Sequence, residues 1–350
     1  MAETIKVGII GGGWPGQAHA RGYQAAGGFK VTAVADLIPD RRNRLISEFN
    51  IEKEFPSAQD LLKDESIQAV SICLPNDLHA QFTIAALKAG KHVVCESPPA
   101  LSAAQARRMM AAAHREKKVL LYAMQRRFGG AEQAARQAIA KGFAGEVYHV
   151  RASWTRTRGI PMGTGWYADK SKSGGGAMID LGLHLLDLGW SLLGQPKPIS
   201  AFAVTQQKFH ALAPAETAFD VEDQGSAIIK FEGGKSLELS AAWAINQPPA
   251  QNGAICRVYG HDGAIEVYTP DGAVLYRDFE PKGEARAVPL KPPKLTHQTA
   301  LLRHFRQCII GNTPPEIGPP QGIILMAMID AIYKSAAKGK SITVAASLPL

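Results

Sequence analysis

Cysteine is scarce in this chain. Four residues in 350 (Cys73, Cys95, Cys256 and Cys308) are widely scattered, with no C-x-x-C pair and no zinc-ligand spacing. That excludes a disulfide scaffold and a cysteine-based metal site, and it points to reduced packing residues in a cytoplasmic protein. No apolar run is long enough to cross a bilayer, so no membrane partner is expected. The opening MAETIKVGIIGGG lacks a basic segment, an apolar stretch and a small-residue cleavage site in succession, so export is not expected. Low-complexity tracts and short-period repeats are missing too, which excludes solenoids and disordered arrays. The formal charge of +8 is spread over RRNR at 41–44, REKK at 115–118 and QRR at 125–127. No basic stripe alternates with aromatics, so nucleic acid is not an expected partner. The excess charge is still suited to attracting an anionic cofactor.

What is present is an ordinary globular composition, 46% hydrophobic and 20% charged, in a chain long enough for two cores. The first half alternates strand and helix. KVGII at 6–10, KVTAVAD at 30–36, AVSICL at 69–74, HVVCE at 92–96 and VLLYA at 119–123 are short β-branched runs suited to strands buried on both faces. Helical stretches lie between them at about 16–26, 40–49, 77–89 and 102–117, and Pro39, Ser57 and Ser102 stand where helices start. Repeated strand–helix–strand units predict a doubly wound parallel sheet. We expect a dinucleotide-binding domain over 1–124 and a second domain over 125–350.

The first strand runs into GGGWPGQAH, in which Gly11, Gly13 and Gly16 form G-x-G-x-x-G around Trp14 and Pro15. The first glycine permits a tight turn, the second close approach of a pyrophosphate, and the third close helix–strand packing. The phosphates would then sit on a helix N-terminus. Asp36 falls 20 positions after Gly16, at the end of the second strand, where a carboxylate accepts both ribose hydroxyls. It favours NAD over NADP, whereas Arg41 and Arg42 are placed to accept a 2′-phosphate. Pro75 and Asn76 close the strand at 69–74, and Glu96, Ser97 and Pro98 close the strand at 92–96. Both strand ends lie at the edge where ligands bind in this fold. His79, on the first turn of the next helix, reads equally as a packing residue or as a cofactor contact.

The second half contains KSGGGAMIDLGLHLLDLGWSLLG, a glycine-rich loop entering a helix. Asp180 and His184 are four apart and so share one helix face. A carboxylate beside an imidazole can orient it and raise its pKa, so the pair reads either as a buried histidine satisfied by its helix neighbour or as a group that takes a proton from a hydroxyl. Asp187 continues that face, but no second acidic or histidine cluster supports a metal, and none is expected. SWTRTRGIPMGTGWYADKSKSGGG at 153–176 is long, polar and aromatic. Arg156, Arg158, Trp166, Tyr167 and Lys172 there are candidate substrate contacts. Arg126 and Arg127 stand at the crossover into the second domain. Strand-like stretches follow at about 199–206, 224–231, 235–244, 254–259 and 263–268, and helices at about 296–310 and 319–337 close the chain.

Taken in order, GIIGGGWPGQAH, LPNDLHA, ALKAGKHVVCESP, GGGAMIDLGLHLLDL and the terminal GIILMAMIDAIYKSAAKGKSITV resemble the Gfo/Idh/MocA oxidoreductases. That family is named for glucose–fructose oxidoreductase and inositol dehydrogenase. The resemblance implies that the domain over 125–350 is α+β, with a large open, mostly antiparallel sheet. The resemblance implies an NAD(P)-dependent enzyme acting on a sugar, polyol or related hydroxylated compound, assembled as a homodimer or homotetramer through its open sheets. It also implies that Asp180 and His184 line the substrate pocket. One departure stands out: the family has Glu-Lys-Pro where this chain has Glu96-Ser97-Pro98. The lysine lies near nicotinamide and substrate in relatives and assists proton transfer, which a serine cannot do as a cation. His184, Tyr167 and Lys172 are the candidate replacements. The departure leaves three functions open: a dehydrogenase, a redox-neutral hydrolase or lyase that oxidises its sugar transiently, and a non-catalytic dinucleotide binder.

Overall fold

The computed structural model describes residues 4–161, 165–213, 219–268, 272–279, 283–293 and 297–346. Its contacts divide the chain into two compact units, one running to Gln125 and taking in 297–323, the other starting at Arg126 and taking in 324–346.

The first unit alternates strand and helix throughout. Its elements are β1 (Ile5–Ile10), α1 (Trp14–Ala26), β2 (Phe29–Ala35), α2 (Pro39–Phe49), β3 (Lys53–Phe55) and α3 (Ala58–Lys63). There follow β4 (Ala69–Ile72), α4 (Asn76–Lys88), β5 (His92–Cys95), α5 (Ala103–Glu116) and β6 (Leu120–Tyr122). The strands form a parallel sheet in the order β3-β2-β1-β4-β5-β6. Helices cover both faces, so Val7, Ile9, Val70, Ile72, Val93, Val94 and Leu121 are wholly buried. The order reverses between β1 and β4, which opens the ligand crevice beyond the carboxyl ends of these strands. Strand β3 and helix α3 are too short for periodicity to show, yet Ser57 marks the helix start. Its hydroxyl accepts from Asp60 N at 3.2 Å.

The second unit contains α6 (Gly130–Ala140), β7 (Val147–Thr155), α7 (Lys170–Ser173) and α8 (Leu183–Leu192). The strands β8 (Pro198–Gln206), β9 (Gln224–Phe231), β10 (Ser236–Ala242), β11 (Gly253–Gly260), β12 (Gly263–Tyr268), β13 (Gly272–Arg277) and β14 (Arg286–Pro289) follow. In chain order these are followed by α9 (His297–Gly311), which belongs to the first unit, and then by α10 (Pro319–Lys338) and β15 (Ile342–Thr343). The nine strands make one sheet, β14-β13-β12-β11-β7-β10-β9-β8-β15, antiparallel except between β7 and β10. Helices α6 and α8 pack on one face. Strand residues alternate accordingly, with Val150 and Ala152 buried while Arg151 is exposed.

A single boundary at 124/125 does not provide for α9, which returns to the first unit. Phe305 stacks against Phe29 at 6.3 Å, and a methyl group added at Gly22 would stand 2.8 Å from Leu302. Apolar α9 side chains find their core against α1, so the fold is discontinuous in sequence.

Candidate functional site

The cradle in the first unit is made mostly of backbone. Gly11 has φ +101° and donates its N–H to Ala35 O at 2.8 Å, while a Cβ there would stand 2.1 Å from Cys73 O. A Cβ on Gly16 would stand 2.1 Å from Gly11 O. These two glycines are therefore demanded by the turn itself. Gly13 differs: its added Cβ would meet only Pro15, at 3.6 Å, and project into open space. It is also the N-cap of α1, with no side chain capping the helix. The first-turn amides are thus left for an anion, aided by the helix dipole. A dinucleotide pyrophosphate fits this cradle.

Asp36 is turned inward, with its side chain 8% exposed. Its two carboxylate oxygens accept from Gly12 N at 2.7 Å and Ile38 N at 2.8 Å. The carboxylate therefore braces the glycine turn as well as standing where a ribose would lie. Arg42 is committed to Glu54, at 3.0 Å, and to the Asp36 carbonyl, at 2.7 Å. Arg41 stays half exposed, 4.0 Å from the Asp36 carboxylate. Trp14 is 65% exposed beside the turn. Pro75 is the N-cap of α4 and Asn76 its first residue.

Of the two readings open for His79, the structure favours packing. The residue is wholly buried, and its ring nitrogens contact Pro98 O and Leu74 O, each at 2.8 Å. Both nitrogens thus tie strand ends together rather than facing outward. Burial pulls its pKa down, but the Cys95 sulfur and the two carbonyls outweigh that effect and hold it at about 9.

Glu96 belongs to a buried chain of side chains that the motifs did not disclose. Tyr23 Oη contacts Ser71 Oγ at 2.8 Å, Ser71 Oγ contacts His19 Nδ1 at 2.8 Å, and His19 Nε2 contacts Glu96 Oε1 at 2.8 Å. The other Glu96 oxygen accepts from Ser97 N at 3.0 Å. His19 and Tyr23 are an i, i+4 pair on the sheet-facing side of α1, and that spacing was the available signal. The chain runs from the core to Glu96, whose side chain is 13% exposed, and it sets the shape of the turn at 96–98.

The second unit's site is built from side chains. The glycine loop leads into one π-helical turn, Met178–Gly182, before α8 begins. Glu222 anchors this entrance: its carboxylate accepts from Gly176 N at 3.0 Å, Met178 N at 2.9 Å and Tyr333 Oη at 2.8 Å. Burial raises the Glu222 pKa against the pull of those donors. The close seat explains Gly176, since a Cβ there would lie 1.8 Å from Glu222 O.

The expected Asp180–His184 contact is replaced by another. Asp180 Oδ2 accepts from the indole N–H of Trp243 at 2.7 Å. The reason is the π turn, which changes the rotation per residue that the four-residue spacing assumed. Burial raises the Asp180 pKa, while the Trp243 hydrogen bond and the nearby Arg156 charge work the other way. The His184 ring lies 6.1 Å from the Trp154 ring. Two guanidiniums lie on that tryptophan, Arg126 at 4.6 Å and Arg156 at 5.4 Å.

Other candidates are more ordinary. Asp187 forms a wholly buried two-point pair with Arg127, at 2.8 and 2.6 Å, so it is not available as a metal ligand. Lys172, considered as a replacement acid, is 53% exposed and paired with Asp169 at 3.1 Å. Trp166 stacks on Tyr167 at 4.0 Å. Arg158 bonds Asn246 and lies over the Phe209 ring at 5.1 Å. Residues 162–164 of this loop lie outside the described residues. Glu222, Tyr333, Trp243 and the role of Trp154 escaped sequence reasoning because they come from segments far apart in the chain.

A parallel sheet in this order, a glycine turn feeding an uncapped helix and an acid at the end of β2 define a Rossmann dinucleotide-binding unit, here joined to a mixed-sheet α+β unit. Residues 5–124 match the profile described as "Oxidoreductase family, NAD-binding Rossmann fold", and 133–266 match the GFO/IDH/MocA C-terminal domain. The chain belongs to the Gfo/Idh/MocA family and is an NAD(P)-dependent oxidoreductase. It is 30% identical to D-glucoside 3-dehydrogenase of Escherichia coli (strain K12), over 97% of each chain. It is 28% identical to inositol 2-dehydrogenase of Rhizobium meliloti (strain 1021), over 98% of this chain and 100% of that one. The structure of levoglucosan dehydrogenase with NADH and levoglucosan superimposes with a TM-score of 0.88 at 23% identity, covering 99% and 100% of the two chains.

Proposed function

We propose that the protein is a dehydrogenase that moves a hydride between nicotinamide and a carbinol carbon of a sugar, polyol or related hydroxylated compound. The observation that carries this reading is the cluster around α8, where Asp180 on the turn entering that helix bonds Trp243, and His184 on the helix lies near Trp154 with its Arg156 guanidinium. The names of the relatives, dehydrogenases of a glucoside and of an inositol, support the substrate class.

Gly11, Trp14, Pro15 and Gly16 shape the cradle, and the open edge of Gly13 admits the pyrophosphate. Asp36 accepts ribose hydroxyls and so favours NAD, with Arg41 the group beside it for a 2′-phosphate. Pro75, Asn76, Glu96 and Ser97 line the same sheet edge. The chemistry a bound nicotinamide supplies is acceptance or return of the hydride. A ring nitrogen of His184 takes the hydroxyl proton as the carbinol is oxidised, a role worth roughly a hundred- to ten-thousand-fold in rate. Asp180, held by Trp243, offers negative charge to the imidazolium that forms. Arg156, Trp166 and Tyr167 hold substrate; Lys172 answers to Asp169.

The sheet face opposite α8 exposes Phe202 (46%), Val204 (55%) and Ile228 (54%) around a groove of about 520 Å³. An apolar face of this kind supports assembly into a homodimer or homotetramer. The four free, buried cysteines support a reducing, cytoplasmic setting.

The test is a hydride balance with NAD and a panel of polyols, aldoses, sugar acids and glycosides. Reduced cofactor accumulating over many turnovers, in step with an oxidised product, is the expected result. Product formed while reduced cofactor never exceeds the enzyme concentration would replace this reading with a redox-neutral hydrolase or lyase.

A further inference from the structure

The α8 site is recognised by a fork rather than by a flat ring. Strand β7 carries Val150, Ala152 and Trp154 on the helix-packed face at every second position, and Arg156 continues that register. The strand pairing also continues: Arg156 N donates to Ala242 O at 3.0 Å, and Ile245 N donates to Arg156 O at 3.1 Å. Arg156 is therefore fixed by backbone ladders, although it stands one residue past the strand.

Its side chain is equally constrained. The guanidinium lies over the Trp154 ring at 5.4 Å, and a Cβ added at Gly159 would stand 2.5 Å from Arg156 Cδ. A side chain at 159 would displace the arginine from this seat. Trp154 also carries the Arg126 guanidinium at 4.6 Å. Sugars commonly lie against an aromatic face, but here guanidiniums occupy the tryptophan.

The two arginines are not equivalent. Arg126 is paired with the buried Glu132 at 3.3 Å. Among the described residues, the hydrogen bond Arg156 donates from its side chain is one of 3.4 Å, from Nη1 to Gly159 O. The neighbouring Asp180 accepts a hydrogen bond from Trp243, and no ion pair joins it to Arg156 among the described residues. A guanidinium held over a ring with one weak hydrogen bond keeps N–H groups available, and its planar fork matches a carboxylate bidentately.

We propose that Arg156 is a specificity-determining residue and that the substrate is an anionic sugar, a uronic or aldonic acid whose carboxylate it holds. The inference rests on the α8 site of the proposed function and names the substrate class of that site. Recognition is by the fork at one end of the molecule, which leaves a carbinol elsewhere on it to His184.

Calorimetric titration of the cofactor-loaded protein with matched pairs tests this without turnover. The pairs are D-glucose and D-glucuronate, D-galactose and D-galacturonate, and D-glucitol and D-gluconate. At least one acid should bind about tenfold or more tighter than its neutral partner. In Arg156→Gln that preference should fall to near unity. If Arg156→Gln does not fold, Arg156→Lys carries the test: it keeps the charge but loses the planar fork, and the preference should fall in part. Equal affinity within every pair, no binding of any acid, or a preference that survives substitution overturns the proposal. Because binding is read directly, such a failure leaves the hydride balance standing on neutral sugars. Failure of the hydride balance leaves the binding preference intact.

Discussion

The cofactor cradle of the first unit and the α8 cluster of the second solve the same problem with opposite materials. In the first, amides, a helix end and the space left by missing side chains do the binding, and Asp36 spends its oxygens on the amides of Gly12 and Ile38. In the second, Asp180, His184, Trp243, Trp154 and Arg156 converge from separate segments, each seated by a neighbour. A backbone site depends on local conformation and tolerates little change in glycine. A side-chain site depends on packing and can lose one function while keeping its shape. The difference teaches that binding and chemistry should separate cleanly under substitution.

The sharpest test of that separation is His184→Ala. Turnover should fall by roughly a hundred- to ten-thousand-fold while NAD affinity stays within about twofold. Near-normal kcat would remove His184 from the chemistry.

In the first unit, stability should respond to pH through His79. His79 has a folded pKa of about 9 against 6.5 for the free residue. Its contribution is fully present below pH 6.5 and is lost as pH rises through 9. On a linkage basis it amounts to about 3 kcal/mol at most. Denaturation midpoints between pH 6 and 10 should decline over that window, and the decline should flatten in His79→Gln. An identical slope in the variant would assign the effect elsewhere.

Trp243→Phe keeps an aromatic ring but removes the donor to Asp180. The stability loss should be about 1–3 kcal/mol. The lost hydrogen bond was lowering the Asp180 pKa, so the acid limb of the pH–kcat/KM profile should move to higher pH. An unmoved limb would leave Trp243 with packing alone.

The smallest effect is the most diagnostic of the cradle. Gly13→Ala places a methyl group where only Pro15 is near, so the thermal midpoint should not change. NAD affinity, followed by fluorescence quenching, should weaken by about tenfold. Unchanged affinity would mean that the pyrophosphate does not approach at Gly13.

Much of the first unit was legible because its signals are local. A glycine pattern between a β-branched run and a helix is one continuous stretch, and Gly11, Gly16 and Asp36 sit where that grammar puts them. His79 was placed on the right turn of the right helix, but sequence had no means of knowing that Leu74 O and Pro98 O would claim both ring nitrogens. Asp180 and His184 were singled out by spacing together with the family resemblance, yet the partner of Asp180 was not. Trp243 lies 63 residues away, and the π turn altered the phase on which the spacing argument stood.

By itself, then, the sequence determined the alternation of elements, the strand periodicity, the dinucleotide turn and the helix that carries the acid–base candidates. Each is a matter of backbone propensity and apolar period within a dozen or so residues. Only the tertiary structure decided that α9 returns to the first unit, that Glu222 and Tyr333 seat the entrance to α8, and that Arg156 lies on Trp154 beside His184. Those are contacts between residues far apart in the chain. They exist because burying apolar faces brought the elements together, and the polar groups carried along had to find partners where they landed.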